Sequence, residues 1–259
     1  MVSTVALFVL GVTLPVAGFV LWNGIQELRT VYHILTNDPV SVRDLPTRSG
    51  PVEVEGRAQP ADEAGTVHTP FTDTDCLAYE YEAQEYQSQG QHSAWKTLDE
   101  GGESASFLVE DDTGAVRVDP AGAELHLDDH TIEVSPGEEP PERVAQYIRQ
   151  TEDVDPQDGS IDLVVTELNL GNRQRFVERR LDVGEDVYVY GTVGPAPGGE
   201  WGSRLVDARI EAGPELPEFV ISDTSERGTA WRIGKRAVGV TAIGLAILLG
   251  GVLVAVLVA

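Results

Sequence analysis

Two apolar runs constrain this chain more than anything that lies between them. Residues 2–22 and 237–259 are uncharged over 21 and 23 positions, and a helix of about 20 apolar residues is long enough to cross the hydrocarbon core of a bilayer. Two membrane helices are therefore expected, bracketing one extramembrane region of about 200 residues, enough for one domain with a sizeable core or two small ones; one is expected. The first run lacks the basic start and small-residue cleavage site of a secretory signal. It is read as a retained anchor, with a cleaved signal peptide as the alternative, and Pro15 and Gly18 are its candidate kink points.

The charge balance narrows the partners. Acidic residues outnumber basic ones 43 to 18, for a net charge of −25, and Lys96 and Lys235 are the only lysines, a bias that resembles the proteome of an extreme halophile. In molar salt the screening length is about 3 Å, so this charge hydrates the surface and steers little over distance. Nucleic acid is the least expected ligand. Arg227, Arg232, Lys235 and Arg236 crowd the domain side of the second run, whose far side is uncharged, and Arg29 and Arg43 follow the first. The positive-inside rule then places the domain in the cytoplasm, on a two-pass protein of the cell membrane. Contact with anionic lipid is the alternative use of the same cluster.

Periodicity supplies the elements. Ile25, Leu28, Val31, Tyr32 and Leu35 continue the first helix as a stalk that stops at Asn37-Asp38-Pro39. From there the period changes to two. "VEVEG" (52–56), "CLAYEYEAQEY" (76–86, with Leu77, Tyr79, Tyr81 and Ala83 on one face) and "DVYVYGTV" (186–193) read as strands with polar neighbours outward. "QPADEAGT" and "GPAPGGEWGS" read as connections, and "TEDVDPQDGS" as an acidic loop. "PPERVAQYIRQTEDV" is the clear internal helix, with Val144, Tyr147 and Ile148 along a face. "DTSERGTAW" offers Asp223 as an N-cap, with Glu226 three residues on. In "SFLVEDDTGAVRVDP" (106–120), Phe107 and Val109 share a face, Val116 and Val118 share the return face, and Gly114 is expected at positive φ, so the stretch reads as a β-hairpin. A calcium loop would need alternating oxygen ligands closed by a late glutamate, an order this turn lacks. The fold class expected is mainly β, an antiparallel barrel-like or sandwich domain with one internal helix, between two transmembrane α-helices.

Taken in order, "VEVEGRAQP", "TPFTDTDCLAYEYE", "SAWKTL", "SFLVEDDTGAVRVDP", "RFVERRLDVGEDVYVYGTV" and "EFVISDTSE" resemble the GIDE (BAM) domain of the MULAN ubiquitin-ligase family over about Val52 to Glu226. The resemblance implies a domain held between two membrane helices, with a zinc RING after the second and, in that family, the domain and the RING on opposite sides of a mitochondrial membrane. This side disagrees with the one read from the charges. The family's recurrent positions fall on Gly56, Pro70, Cys76, Asp111, Asp112, Gly114, Gly184 and Gly191, for which turn geometry and strand entry are sufficient reasons. None is expected to be catalytic. A RING needs eight Cys and His zinc ligands in paired spacings; this sequence holds one cysteine and ends at Ala259 within the second apolar run, so ligase activity is not expected to carry over.

Other chemistry has weak footing. Cys76 lies in an alternating strand without a paired base, where a buried thiol is usual. "HLDDH" sets Asp128 and Asp129 between His126 and His130, a turn that could hold a metal but reads more simply as a solvated loop. G-x-S-x-G, H-E-x-x-H and G-K-[ST] are all missing. The function expected is a non-enzymatic, membrane-anchored interaction or scaffold domain that binds a protein or peptide, with no cofactor or metal. The alternative is a ubiquitin-transferase component that takes its RING in trans. Ranked last is a hydrolytic or metal role for Cys76 or the Asp111-Asp112 turn.

Overall fold

The valines of "VEVEG" and "DVYVY" face each other across the first long-range pairing of the domain. In the computed structural model, which describes residues 3–36, 39–61, 65–89, 92–152, 172–197, 203–224 and 226–257, strand β1 (Gly50–Pro60) runs antiparallel to β10 (Asp186–Pro195), with Val54 opposite Val189. Most of the expected acidic loop, 153–160, and parts of the two Gly- and Pro-rich connections lie outside the described residues. On its other edge β1 pairs with β5 (Phe107–Glu110), β5 with β6 (Ala115–Val118), β6 with β11 (Leu205–Glu211), and β11 returns to β10. The sheet thus closes on itself. Numbered along the chain, the five ring strands run 1-2-3-5-4-1, with the third and fifth parallel. This is the topology of the five-stranded Greek-key barrel of OB folds. Between barrel and sandwich, the barrel is what forms.

Alternation fills the ring. Val54, Phe107, Val109, Val116, Val118, Val189 and Ile210 are all fully buried inside it, and a 3-10 turn, Val42–Thr47, plugs one end with Val42 and Leu45. The hairpin at 106–120 forms in the expected register, Val109 opposite Val116. Two expectations need correction. Tyr188 and Tyr190 point out of the barrel yet are buried, because they pack with Val220 against Ala230 and Ile233 of a helix; alternation marks a strand but not what covers its outer face. Leu77 leaves the face shared by Tyr79, Tyr81 and Ala83 and enters the barrel core, since the ladder slips between Cys76 and Ala78.

Two insertions into the ring build a second sheet. The first, between β1 and β5, contributes β2 (Val67–His68), β3 (Asp75–Gln89) and β4 (His92–Ser104). The second, between β6 and β10, contributes β8 (Asp129–Val134), helix α2 (Glu142–Glu152) and β9 (Gln174–Asp182) to it, and also holds β7 (Glu124–His126), which stays with the barrel's sheet. Here β3 lies between β9 on one edge and β4 and β2 on the other, with β8 outside β9. The expected internal helix is α2: Val144 is buried against Phe71, Ala83 and Phe176, with Tyr147 and Ile148 beside it. The Phe71 ring meets Tyr81, Tyr147 and Phe176 edge-on at centroid distances of 5.5, 4.9 and 5.2 Å, the geometry aromatic quadrupoles favour. After the barrel, β12 (Val220–Ser222) pairs with β10 and with β7.

Helices α1 (Thr4–Thr36) and α3 (Glu226–Leu257) flank the domain in sequence and pack against each other. Added methyls at Gly24, Gly244 and Gly251 would stand 2.4 Å from Thr241, 2.8 Å from Leu21 and 2.5 Å from Thr13. Helices in lipid approach through such small residues. Leu7, Phe8, Phe19, Leu249 and Val256 are exposed along the pair. Over Ala6–Tyr32 and Gly228–Leu257 the two are long and apolar enough to cross a membrane, with mean hydropathies of 1.9 and 2.7.

Candidate functional site

The family-motif residues serve the backbone. Asp111 accepts hydrogen bonds from the amides of Val42 (3.0 Å), Thr113 (2.7 Å) and Gly114 (2.8 Å) and from the Thr113 hydroxyl. Burial alone would raise its carboxyl, but these donors outweigh it and hold the carboxyl low. The acidic turn therefore bolts the hairpin to the 3-10 plug, while Asp112 beside it is exposed. Asp111→Ala is expected to lose about 2 kcal/mol of stability and Asp112→Ala less than about 0.5 kcal/mol, read as thermal unfolding in detergent; equal effects would contradict this division. Because the low carboxyl stabilises only while ionised, the contribution of Asp111 is present above the ordinary carboxylate range and is lost in acid.

Gly114 does not take the expected positive φ. An added Cβ there would meet the Arg204 carbonyl at 3.1 Å, a tight contact. Gly56 and Gly191 are close approaches too, to the Glu110 carbonyl at 2.6 Å and to Ile210 at 2.3 Å, and Gly184 alone of the four has positive φ, at 82°. Pro70 opens the turn before β3. The Cys76 thiol is fully buried and donates to the Val67 carbonyl at 3.7 Å. Burial first, with Asp182 adding, pushes it up to about 12, so it is held as an unreactive thiol.

A cavity opens elsewhere, as a groove of about 590 Å³ between the second sheet and the 120–125 segment that leads into β7. Strand alternation in β3 turns Glu80 and Glu82 toward it, with Gln84 on the same face, and turns Tyr81 and Ala83 toward α2 and Tyr79 toward Val67 and Cys76. Gln84 donates to Glu82 at 2.6 Å, Arg179 of β9 donates to Glu82 at 2.9 Å and to Asp129 at 2.6 Å, and Arg175 donates to Gln84. Glu100 and Glu103 of β4 line the rim. Burial raises the Glu80 carboxyl, opposed by Arg179 and reinforced by Glu124, Glu82 and Glu100. Glu80, Glu82 and Glu100 thus share the groove face with one guanidinium that Asp129 also binds, while Glu103 projects from the other face of β4. The signal in the sequence was "DEGGES", a charged strand with a glycine pair, but only the fold sets it beside Glu80 and Glu82.

A second polar centre joins domain to helices. "HLDDH" is more than a loop: His126 ends β7, Asp129 and His130 open β8, Asp128 to His130 remain exposed, and the segment clasps α3. Arg232 donates to the His126 carbonyl at 2.6 Å, to Asp223 at 2.7 Å and to Asp128, and Asp223 also takes the Asp128 amide. Arg236 bridges Glu27 of α1, at 3.2 Å, and Glu124. Two residues of the basic juxtamembrane cluster are thus held in internal ion pairs. Among the described residues no cluster of metal-ligating side chains forms.

Glu124 and Glu218 line one small cavity with Glu27 and Arg236, and two carboxyl groups brought together this way can hydrogen-bond only with one proton between them. Burial, together with the bond and charge of Glu124 and the charge of Glu27, raises Glu218 to about 8 against the pull of Arg236. The same bond, with Arg236, lowers Glu124 despite its burial. The folded pair therefore keeps a proton that unfolded glutamates release near 4.5, and stability falls as pH rises between 4.5 and about 8. Glu218→Gln, with a permanent donor, is expected to flatten this dependence and to be more stable than the native chain at about pH 8. Parallel unfolding temperatures from about pH 5 to about pH 9 would refute it.

A family model, GIDE, described as E3 ubiquitin ligase, matches residues 78–255, more than half of the chain. The match starts inside β3 and reaches through α3. No curated protein and no solved structure matches.

Proposed function

The chain belongs to the GIDE family, linked to E3 ubiquitin ligases, and we propose that this domain is a membrane-anchored, non-catalytic recognition module that binds a protein or peptide. The observation that carries the reading is the open groove with its exposed strand β4, built on a barrel that two apolar helices hold to one place. The recurrent family residues are used up in turns and close packing, and the one thiol is buried. These 259 residues hold one cysteine and five histidines, fewer than the eight ligands of a RING, so ubiquitin transfer through this chain draws its zinc module from outside them. An OB topology alone assigns no ligand, and a net charge of −25 opposes polyphosphate binding. Crosslinking in native membranes is expected to recover one reproducible protein partner. Recovery of abundant background alone would sink the reading, and conjugation of ubiquitin-like protein by this chain with only activating and conjugating enzymes would replace it.

The domain is proposed to face the cytoplasm from the cell membrane. The positive-inside bias acts on the chain during insertion, before Arg232 and Arg236 find their carboxylates, so the folded ion pairs leave it intact. A protease site placed near Asp158, outside the described residues, is expected to resist protease added to intact cells and to be cut once they are opened. Cleavage in intact cells would put the domain on the other side.

A further inference from the structure

The proposed recognition role leaves open where a partner sits. Among the described residues β4 pairs with β3 alone, so the opposite edge of its Asp99–Ser104 portion borders the groove with its backbone donors and acceptors unused by a neighbouring strand. Gly102, Glu103 and Ser104 are exposed there, and so is Glu100. Proteins ordinarily guard such an edge with proline, lysine or a covering element. This portion carries none of these; it carries acid on both faces, Asp99 and Glu103 on one and Glu100 on the other, around two glycines.

The glycines have a local reason. A Cβ on Gly102 would stand 2.6 Å from the Tyr79 carbonyl, and one on Gly101 would stand 2.8 Å from the Tyr81 ring. They also leave bare backbone in the middle of the edge, where another strand can approach closely. The far wall of the groove, Pro120–Ala123 and Leu125, is small and apolar. A second copy of the chain is a poor occupant, because pairing β4 with itself would set glutamate near glutamate, and like charges across a ladder destabilise it.

We propose that the outer edge of β4 over residues 99–104 accepts an extended, arginine- or lysine-rich segment of a partner protein as an added strand, with alternate side chains reaching Glu100 and Glu80 in the groove. Main-chain bonds supply affinity and the carboxylates supply selection, as in other strand-addition complexes. The acid also serves as the guard: it repels copies of the chain and admits only a strand of opposite charge.

The test uses the full chain in phospholipid nanodiscs and a synthetic peptide alternating arginine with threonine. The peptide is expected to bind, to lose at least about tenfold in affinity to Glu100→Lys/Glu103→Lys, and to lose binding when its backbone amides on one edge are N-methylated. Both glutamates are exposed, so the variant is expected to unfold at the native temperature. Failure of the unmodified peptide to bind overturns the proposal, as does equal binding by the charge-reversed chain or by the methylated peptide. Paired particles that separate on charge reversal would make the occupant a second copy, and overturn it too. The proposal rests on the recognition reading, but the two fail differently: a partner crosslinked equally well to the native chain and to Glu100→Lys/Glu103→Lys leaves the reading standing and removes β4 as its site.

Discussion

Gly191→Val is expected to leave no stable barrel. Gly191 lies on β10 opposite Val52 of β1, and an added Cβ would sit 2.3 Å from Ile210 Cγ2 and 2.9 Å from the Phe219 ring. Neither neighbour can retreat. Ile210 is fully buried within the ring and Phe219 is nearly so, and both stand in a core whose other walls are the strands themselves. Overpacking a closed core costs about 3 kcal/mol or more, against a total of about 5–15 kcal/mol for a domain. Valine brings two further methyls. Circular dichroism of the purified chain on heating is expected to show the β signal lost many degrees below the native midpoint, with the helical signal of the membrane pair outlasting it. Gly184 is the control from the same set of family positions. Its φ of 82° asks for glycine or asparagine, and nothing stands within 4 Å of an added Cβ. Gly184→Asn should therefore cost under about 1 kcal/mol. A native unfolding temperature for Gly191→Val would show that the ring yields at this point.

Gly191 also shows what periodicity leaves unseen. In "DVYVYGTV" alternation identifies the strand, and an invisible partner, the Phe219 ring, decides why position 191 has no side chain. Local features were legible: the two apolar helices, the hairpin around "DDTG", and the Val144, Tyr147 and Ile148 stripe of α2 are each set by residues within a few positions of one another. Ring closure was not, because β1 and β10 pair across more than 100 intervening residues and nothing local specifies a partner at that distance. The same limit applied to charge. Arg232 and Arg236 read from the sequence as a basic collar, yet the fold brings Asp128, Asp223, Glu27 and Glu124 to them from β7, the segments beside it and α1. The groove was the least legible part. Its carboxylates come from β3 and β4, its guanidinium from β9 and its far wall from the 120–125 segment, so no single window contains it.

Glu178→Ala is expected to cost about 3–5 kcal/mol, the range for leaving a buried polar network without one partner. Glu178 lies on β9, 1% exposed, and accepts from the amides of Phe71 at 2.6 Å and Thr72 at 3.1 Å and from the Thr72 hydroxyl at 2.6 Å; Arg180 stands 3.7 Å away. One side chain from the second insertion thereby fastens a turn of the first, the "TPFTDTD" segment in which Asp73 is the one described non-glycine residue with positive φ. That turn delivers Phe71 to the rings of Tyr81, Tyr147 and Phe176. Alanine removes the acceptor and leaves the Phe71 amide buried without a partner and Arg180 with less opposing charge, so the turn opens and takes the aromatic cluster with it. Glu178→Gln keeps a carbonyl that can take one amide, and should fall between alanine and the native chain. Hydrogen exchange is the discriminating measurement. In Glu178→Ala, amides 69–76 and those of α2 should exchange faster by a factor of about 100 or more, while the β1 and β10 amides of the barrel keep more of their protection. Uniform loss across both sheets would mean that barrel and second sheet unfold as one unit, and unchanged exchange at 69–76 would mean that Glu178 does not hold the turn.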